Sequence, residues 1–210
     1  MGLSFHYSGA IKNREDLPSL IADVQTLAKT HDWEYQIFET SFPDNEVPPY
    51  NEDLIYGISI TPPKCETIDI CFTQDGRMSS LLHLLMWKDS DPAEAEKYMY
   101  LLSVKTQFAG IDIHVIVIDF FRYISRQYLK NFTLTDEGNY WETSDMQVLK
   151  NQFDRFSRAL DSFGLGLETT PPESKENLIN YLERIAKKTD NFLKREDDKS
   201  RNSWRKGQVQ

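Results

Sequence analysis

The segment that most constrains this chain runs from residue 111 to residue 129. It opens Ile-Asp-Ile-His-Val-Ile-Val-Ile, β-branched enough for a strand, yet Ile113, Val117, Phe120, Ile124 and Tyr128 recur at helical spacing. The spacing predicts a buried helix. Within it lies the longest apolar stretch of the sequence, residues 113 to 124, broken by His114, Asp119, Arg122 and Tyr123 and shorter than the ~20 residues that cross a bilayer. Such a helix needs a protein core around it, so a globular fold with no membrane span is expected. The 210 residues, 40% of them hydrophobic, suffice for one domain that buries roughly 70% of the surface of its unfolded chain.

The flanking elements alternate between the two periods. Residues 4 to 9 read as a strand, and Leu17, Leu20, Ile21, Val24, Leu27 and Ala28 then share one face of a helix whose start tolerates Asp16 and Pro18. Residues 33 to 40 alternate apolar with polar, as a half-buried strand does, before an acidic, Pro-rich loop over 43 to 53. Residues 55 to 61 and 67 to 73 read as two further strands, and Asp75-Gly76 supplies the tight turn from which 78 to 85 return in an antiparallel meander. Asp91-Pro92-Ala93-Glu94 is a capped helix start, 100 to 108 a strand, and 132 to 143 a strand or hairpin turning at Glu137-Gly138-Asn139.

Ser144-Asp145-Met146-Gln147 reads as a capping box for a helix that carries Leu149, Phe153, Phe156, Leu160 and Phe163 and closes at Gly164. A last helix from Thr170-Pro171-Pro172-Glu173 buries Leu178, Leu182, Ile185 and, at its end, Phe192. These two stripes could serve a partner; core is the favoured use. The elements predict an α+β fold, a mostly antiparallel sheet with helices packed on one face, in a single domain over residues 1 to 195 followed by a disordered polar tail over 196 to 210. Residues 3 to 40 and 101 to 143 repeat the order strand, helix, strand, which would make the sheet pseudo-symmetric if the two are duplicates.

The formal charge is −9 and uneven: residues 194 to 210 hold six Lys/Arg against three Asp/Glu, which leaves −12 on the rest. Gripping phosphate backbones requires a basic face, so nucleic acid is not expected as a partner. The N-terminus has no basic n-region, apolar run or cleavage site, and Cys65 and Cys71 are too few for a disulfide framework or a four-ligand zinc site; a cytoplasmic protein with reduced thiols is expected. No His-x-x-x-His, Gly-x-Ser-x-Gly or Gly-rich loop occurs, so neither a metal nor a cofactor is expected, and Cys71, in an apolar strand, should be inert.

The best candidate site joins Lys105-Thr106-Gln107 to residues 136 to 142. If the two halves of the chain pair, Lys105, Asp136 and Glu137 could act in catalysis while Gln107, Tyr140, Trp141 and Glu142 bind a substrate or partner. A buried carboxylate beside a lysine is the pattern of a general base or a cation ligand. The competing reading makes Asp136, Glu137 and Asn139 turn formers, Tyr140 and Trp141 packing aromatics, and Lys105 a surface ion-pair partner. His6 and His114 lie beside elements that could face this cluster; on an apolar helix, a hydrogen-bonded structural role is the favoured one for His114. His31 and His83 lack that context.

At residues 1 to 9 (Met-Gly-Leu-Ser-Phe-His-Tyr-Ser-Gly), 103 to 110 (Ser-Val-Lys-Thr-Gln-Phe-Ala-Gly) and 136 to 143 (Asp-Glu-Gly-Asn-Tyr-Trp-Glu-Thr), the sequence resembles a family of uncharacterised bacterial proteins frequent in Bacteroidetes. The resemblance covers about the first 165 residues. It implies a bacterial cytoplasmic protein and brings no catalytic assignment. Strong charge without a reaction motif fits a non-catalytic binding or regulatory protein that holds a protein partner through an acidic surface, such as an immunity-type inhibitor of a basic toxin. The alternative is a small hydrolase or transferase with Glu137 or Asp136 as base, Lys105 steadying negative charge, and Tyr140 and Trp141 stacking on the substrate.

Overall fold

A computed structural model describes residues 3–43, 54–87 and 89–207. Strand β1 (Ser4–Ile11) leads through a short 3-10 turn into helix α1 (Leu17–Thr30), where Pro18 occupies the first turn and Leu17, Leu20, Ile21, Val24 and Ala28 form the buried face. β2 (Glu34–Ile37) is shorter than the expected strand, and all four of its residues are exposed because it lies at a sheet edge. From residue 44 on, the expected loop over 43 to 53 lies outside the described residues. β3 (Tyr56–Thr61) and β4 (Ile68–Phe72) are the apolar strands of the meander, and Gly76, at φ 85°, makes the turn that follows.

The return from that turn differs from expectation. β5 is only Met78–Ser79, and α2 (Leu81–Trp87) takes up the residues expected to extend it. The Ser80 hydroxyl accepts a hydrogen bond from the His83 N–H at 3.0 Å, an N-cap that turns the chain out of the sheet. α3 (Pro92–Tyr98) starts where Asp91 accepts from the Ala93 N–H, and β6 (Leu102–Lys105) and α4 (Ile111–Tyr128) follow. The buried face of α4 is His114, Val117, Ile118, Phe121 and Ile124, one residue further round than the stripe from Ile113 through Phe120 suggests.

β7 (Leu129–Asp136) ends in a turn and the single-turn helix α5 (Tyr140–Thr143), so no second strand completes the expected hairpin over 132 to 143. α6 (Met146–Thr169) is capped by Asp145, which accepts from the Gln147 N–H at 2.7 Å, and not by Ser144, whose backbone is left-handed at φ 54°. It runs on through Gly164. Gly166 explains why: a Cβ there would lie 2.7 Å from Ile185 Cγ2, so this stretch of helix is packed closely against α7 (Leu178–Gly207). α7 starts at an Asn177 cap, not at Thr170, with Ile185 buried and Leu178 and Leu182 exposed. The burial of Phe192 falls outside the described side chains, and helix occupies residues 196 to 207, where a disordered tail is expected.

The fold is α+β with two antiparallel sheets, one of order β6-β1-β7 and one of order β2-β3-β4-β5. β1 is the centre of the first, with Ser4 opposite Lys105 on one side and Phe5 opposite Asp136 on the other. The recurring strand-helix-strand order therefore does not give a pseudo-symmetric sheet: β1 and β2 belong to different sheets, whereas β6 and β7 flank the same strand. Phe5, Tyr7 and Phe121 fill the space under the first sheet, with ring centroids 4.8 to 5.7 Å apart. Tyr7 ties the sheets together, its hydroxyl donating to the Asp69 carbonyl at 2.8 Å.

The chain divides into two compact units, Met1–Lys150 and Asn151–Gln210, with the boundary inside α6. In the second unit, Tyr181 donates to the Leu167 and Thr170 carbonyls and Arg184 pairs with Glu176 at 2.6 Å, which fixes the link between α6 and α7.

Candidate functional site

Asp136 closes β7 at the point where the chain must turn, and its carboxylate organises that turn. Oδ1 accepts from the Gly138 N–H at 2.7 Å; Oδ2 accepts from the Tyr140 N–H at 2.8 Å, the Trp141 N–H at 3.1 Å and His114 Nε2 at 3.1 Å. The carboxylate thus takes four donors, three of them crowded on Oδ2 and one on Oδ1. Because it can only accept, Nε2 of His114 carries the proton. The other ring nitrogen, Nδ1, shares a 2.7 Å hydrogen bond with Thr106 Oγ1. The His114 and Asp136 side chains are both 0% exposed, and Thr106 is buried with them.

Burial by itself pushes the Asp136 carboxyl up, but the His114 bond and the Trp141 and Gly138 N–H groups outweigh it and hold the group below the usual aspartate range. Gly138 is required by space: a Cβ would stand 2.7 Å from Leu149 Cδ1 and 3.1 Å from His114 Nε2. Hydroxyl, imidazole and carboxylate follow one another in the order of a nucleophilic triad. Enclosed on every side, they hold β6, α4 and the β7 turn together.

The other candidate residues surround this cluster without joining it. Glu137 is exposed, but its Oε2 accepts from the Ser4 N–H at 2.8 Å, and Gln107 Oε1 accepts from the Leu3 N–H at 3.1 Å, so the two side chains clasp the start of β1. Lys105, half exposed, has its Nζ 4.0 Å from Glu66 Oε1, and its N–H donates to Glu66 Oε2 at 2.8 Å. β1 runs between Lys105 and Asp136, which separates their strands by about 10 Å. Tyr140 is buried and Trp141 half-buried, and both serve Arg122: its guanidinium donates to the two carbonyls at 2.5 and 3.0 Å and lies over the Tyr140 ring at 4.9 Å. Glu142 accepts from the Asp136 N–H at 3.2 Å.

Arg122 and Glu66 take part in this network without having been singled out by the sequence, and Thr106, named within the candidate segment, is given no role there. Thr106 lies eight residues before His114, across the turn into α4, a spacing with no motif attached to it. His31 stacks on Trp33 at 5.1 Å. Burial pushes the Cys65 thiol up to about 12 and raises that of Cys71 as well, so neither forms a thiolate at neutral pH. Among the described residues no group of three or more His, Cys, Asp and Glu could hold a metal ion, and no helix is long and apolar enough to cross a membrane. No family model, curated protein or solved structure matches the chain.

Proposed function

We propose that this is a non-catalytic binding or regulatory protein that recognises a basic protein partner through an acidic surface, an immunity-type inhibitor of a basic toxin being one concrete form; a bacterial, cytoplasmic setting belongs to the same reading. The observation that supports it is where the charge lies. Residues 1–150 hold 12 Lys/Arg against 23 Asp/Glu, a net −11, whereas residues 151–210 hold 12 against 10, a net +2. A field of that size on a compact unit attracts and orients basic partners and speeds their encounter. The Asp136 cluster weighs the same way, since its acceptors are taken up inside the chain.

The test is crosslinking and co-purification from the cells of origin, followed by a salt titration of whatever is retained. A basic partner whose affinity falls steeply with salt is the expected result. A chain that runs alone under crosslinking removes the reading's support. The alternative, a small hydrolase or transferase, asks for Lys105, Asp136 and Glu137 in one pocket, and the Lys105–Glu66 pairing tells against it. A metabolite that raises the melting temperature of the native chain, but not of the Lys105→Ala and Glu137→Ala variants, would put that alternative first.

A further inference from the structure

Helix α2 has no polar face. Six of the seven residues in Leu81–Trp87 are apolar, His83 being the exception, and a helix apolar on all sides belongs in an interior. Only Leu84 is fully buried, against Cys71, Ile55 and Met99, with Leu81 and Trp87 partly buried beside it. On the other side Leu82, Leu85 and Met86 stand 64%, 54% and 57% exposed. Positions i, i+3 and i+4 fall together on a helix surface, so these three make one apolar ridge. Where α2 meets α3, residues 88–97 hold four carboxylates (Asp89, Asp91, Glu94 and Glu96) against Lys88 and Lys97, a net −2; Glu96 pairs with Arg77 at 2.7 Å and Glu94 lies in the field of Lys97, so the segment stays acidic with Asp89 and Asp91 exposed.

We propose that this ridge and its acidic rim are the docking surface for an amphipathic, Lys/Arg-bearing helix of another protein, a proposal that rests on the acidic-recognition reading above. Charge decides among occupants. A second copy on a two-fold axis would set the acidic rim of one chain against that of the other, and an anionic lipid surface would be repelled. A basic helix laid along α2 covers Leu82, Leu85 and Met86 with its own apolar anchors and places its cations on Asp89, Asp91 and Glu94. Met86 suits the role, since an unbranched thioether adapts to a partner's side chains.

The experiment titrates the full chain with a fluorescein-labelled helical peptide of Leu and Lys, and with a Leu/Glu peptide of the same apolar face, by fluorescence anisotropy. The Leu/Lys peptide is expected to bind and the Leu/Glu peptide not. The double variant Leu85→Gln/Met86→Gln should weaken binding roughly tenfold or more with an unchanged melting curve, and Asp89→Lys/Glu94→Lys should weaken it and flatten its salt dependence. Equal affinity in all variants would move binding elsewhere on the acidic surface, overturning the assignment to α2 while the charge reading stands. Failure of the Leu/Lys peptide to bind at all would overturn both. Self-association in sedimentation velocity that the Gln pair abolishes would give the ridge to a second copy and overturn the proposal.

Discussion

Two turns of this protein are built by the same device at different depths. At Asp75 one carboxylate oxygen accepts from Thr73 Oγ1 at 2.5 Å and the Arg77 N–H at 3.1 Å, and the other accepts from Arg77 Nε at 2.8 Å. At Asp136 the carboxylate takes three N–H groups and an imidazole. Each carboxyl is pushed up by its burial and brought below the usual range by the groups that donate to it. The Asp75 side chain is 32% exposed and that of Asp136 is 0%. Water can replace the donors of the first and not of the second. Depth, more than the number of bonds, therefore sets what each turn is worth.

The largest effect expected from this contrast is on removing Asp136. Asp136→Ala removes the acceptor of two buried N–H groups, a part-buried one and the His114 Nε2–H, and should cost about 3–5 kcal/mol in urea unfolding. A loss under about 1 kcal/mol would mean that water reaches the cluster, and the contrast with Asp75 would collapse. Acid should reproduce part of it. Because the folded Asp136 carboxyl lies below its unfolded value of about 3.9, its contribution is complete above that pH and is lost as the pH falls through the folded value. Asp136→Asn should shed that share of the acid sensitivity, read from unfolding midpoints between neutral and acid pH.

Gly138→Ala tests the tightness of the same turn. Its Cβ would meet Leu149 and His114, so destabilisation of roughly 1–3 kcal/mol is expected by the same unfolding assay, with unchanged stability as the outcome that shows slack there. Asp75→Ala should show the smallest effect, about 1 kcal/mol, because its donors can turn to solvent.

The sequence was legible where one period ran without competition. α1 shows its buried face in Leu17 through Ala28, and β3 and β4 show theirs in their apolar runs. It misled where apolar residues carry no period. Leu81 through Trp87 looks like a returning strand, yet it is a helix whose start is capped by the Ser80 hydroxyl on the His83 N–H and whose Leu84 packs against Ile55, Cys71 and Met99. Ser144 and Asp145 are both good caps, and the left-handed backbone at Ser144 hands the role to Asp145. Gly164 looks like a stop, but α6 continues because Gly166 allows Ile185 to approach. The candidate residues were found in their neighbourhood but not in their partners. Asp136 takes its imidazole from His114 across the fold and Lys105 takes its carboxylate from Glu66, and such pairings come from topology, not from local spacing.

The position of β1 carries a consequence for synthesis. Both of its partners lie far downstream: Ser4 waits for Lys105 and Phe5 for Asp136. At ordinary translation rates the later of these follows by on the order of ten seconds, during which the apolar face of Phe5 and Tyr7 has no sheet to join. The first strand to emerge thus stays unpaired until β6 and β7 have followed it, so a mutation that slows the arrival of β7 should be read as aggregation of nascent chains rather than as lost stability of finished ones.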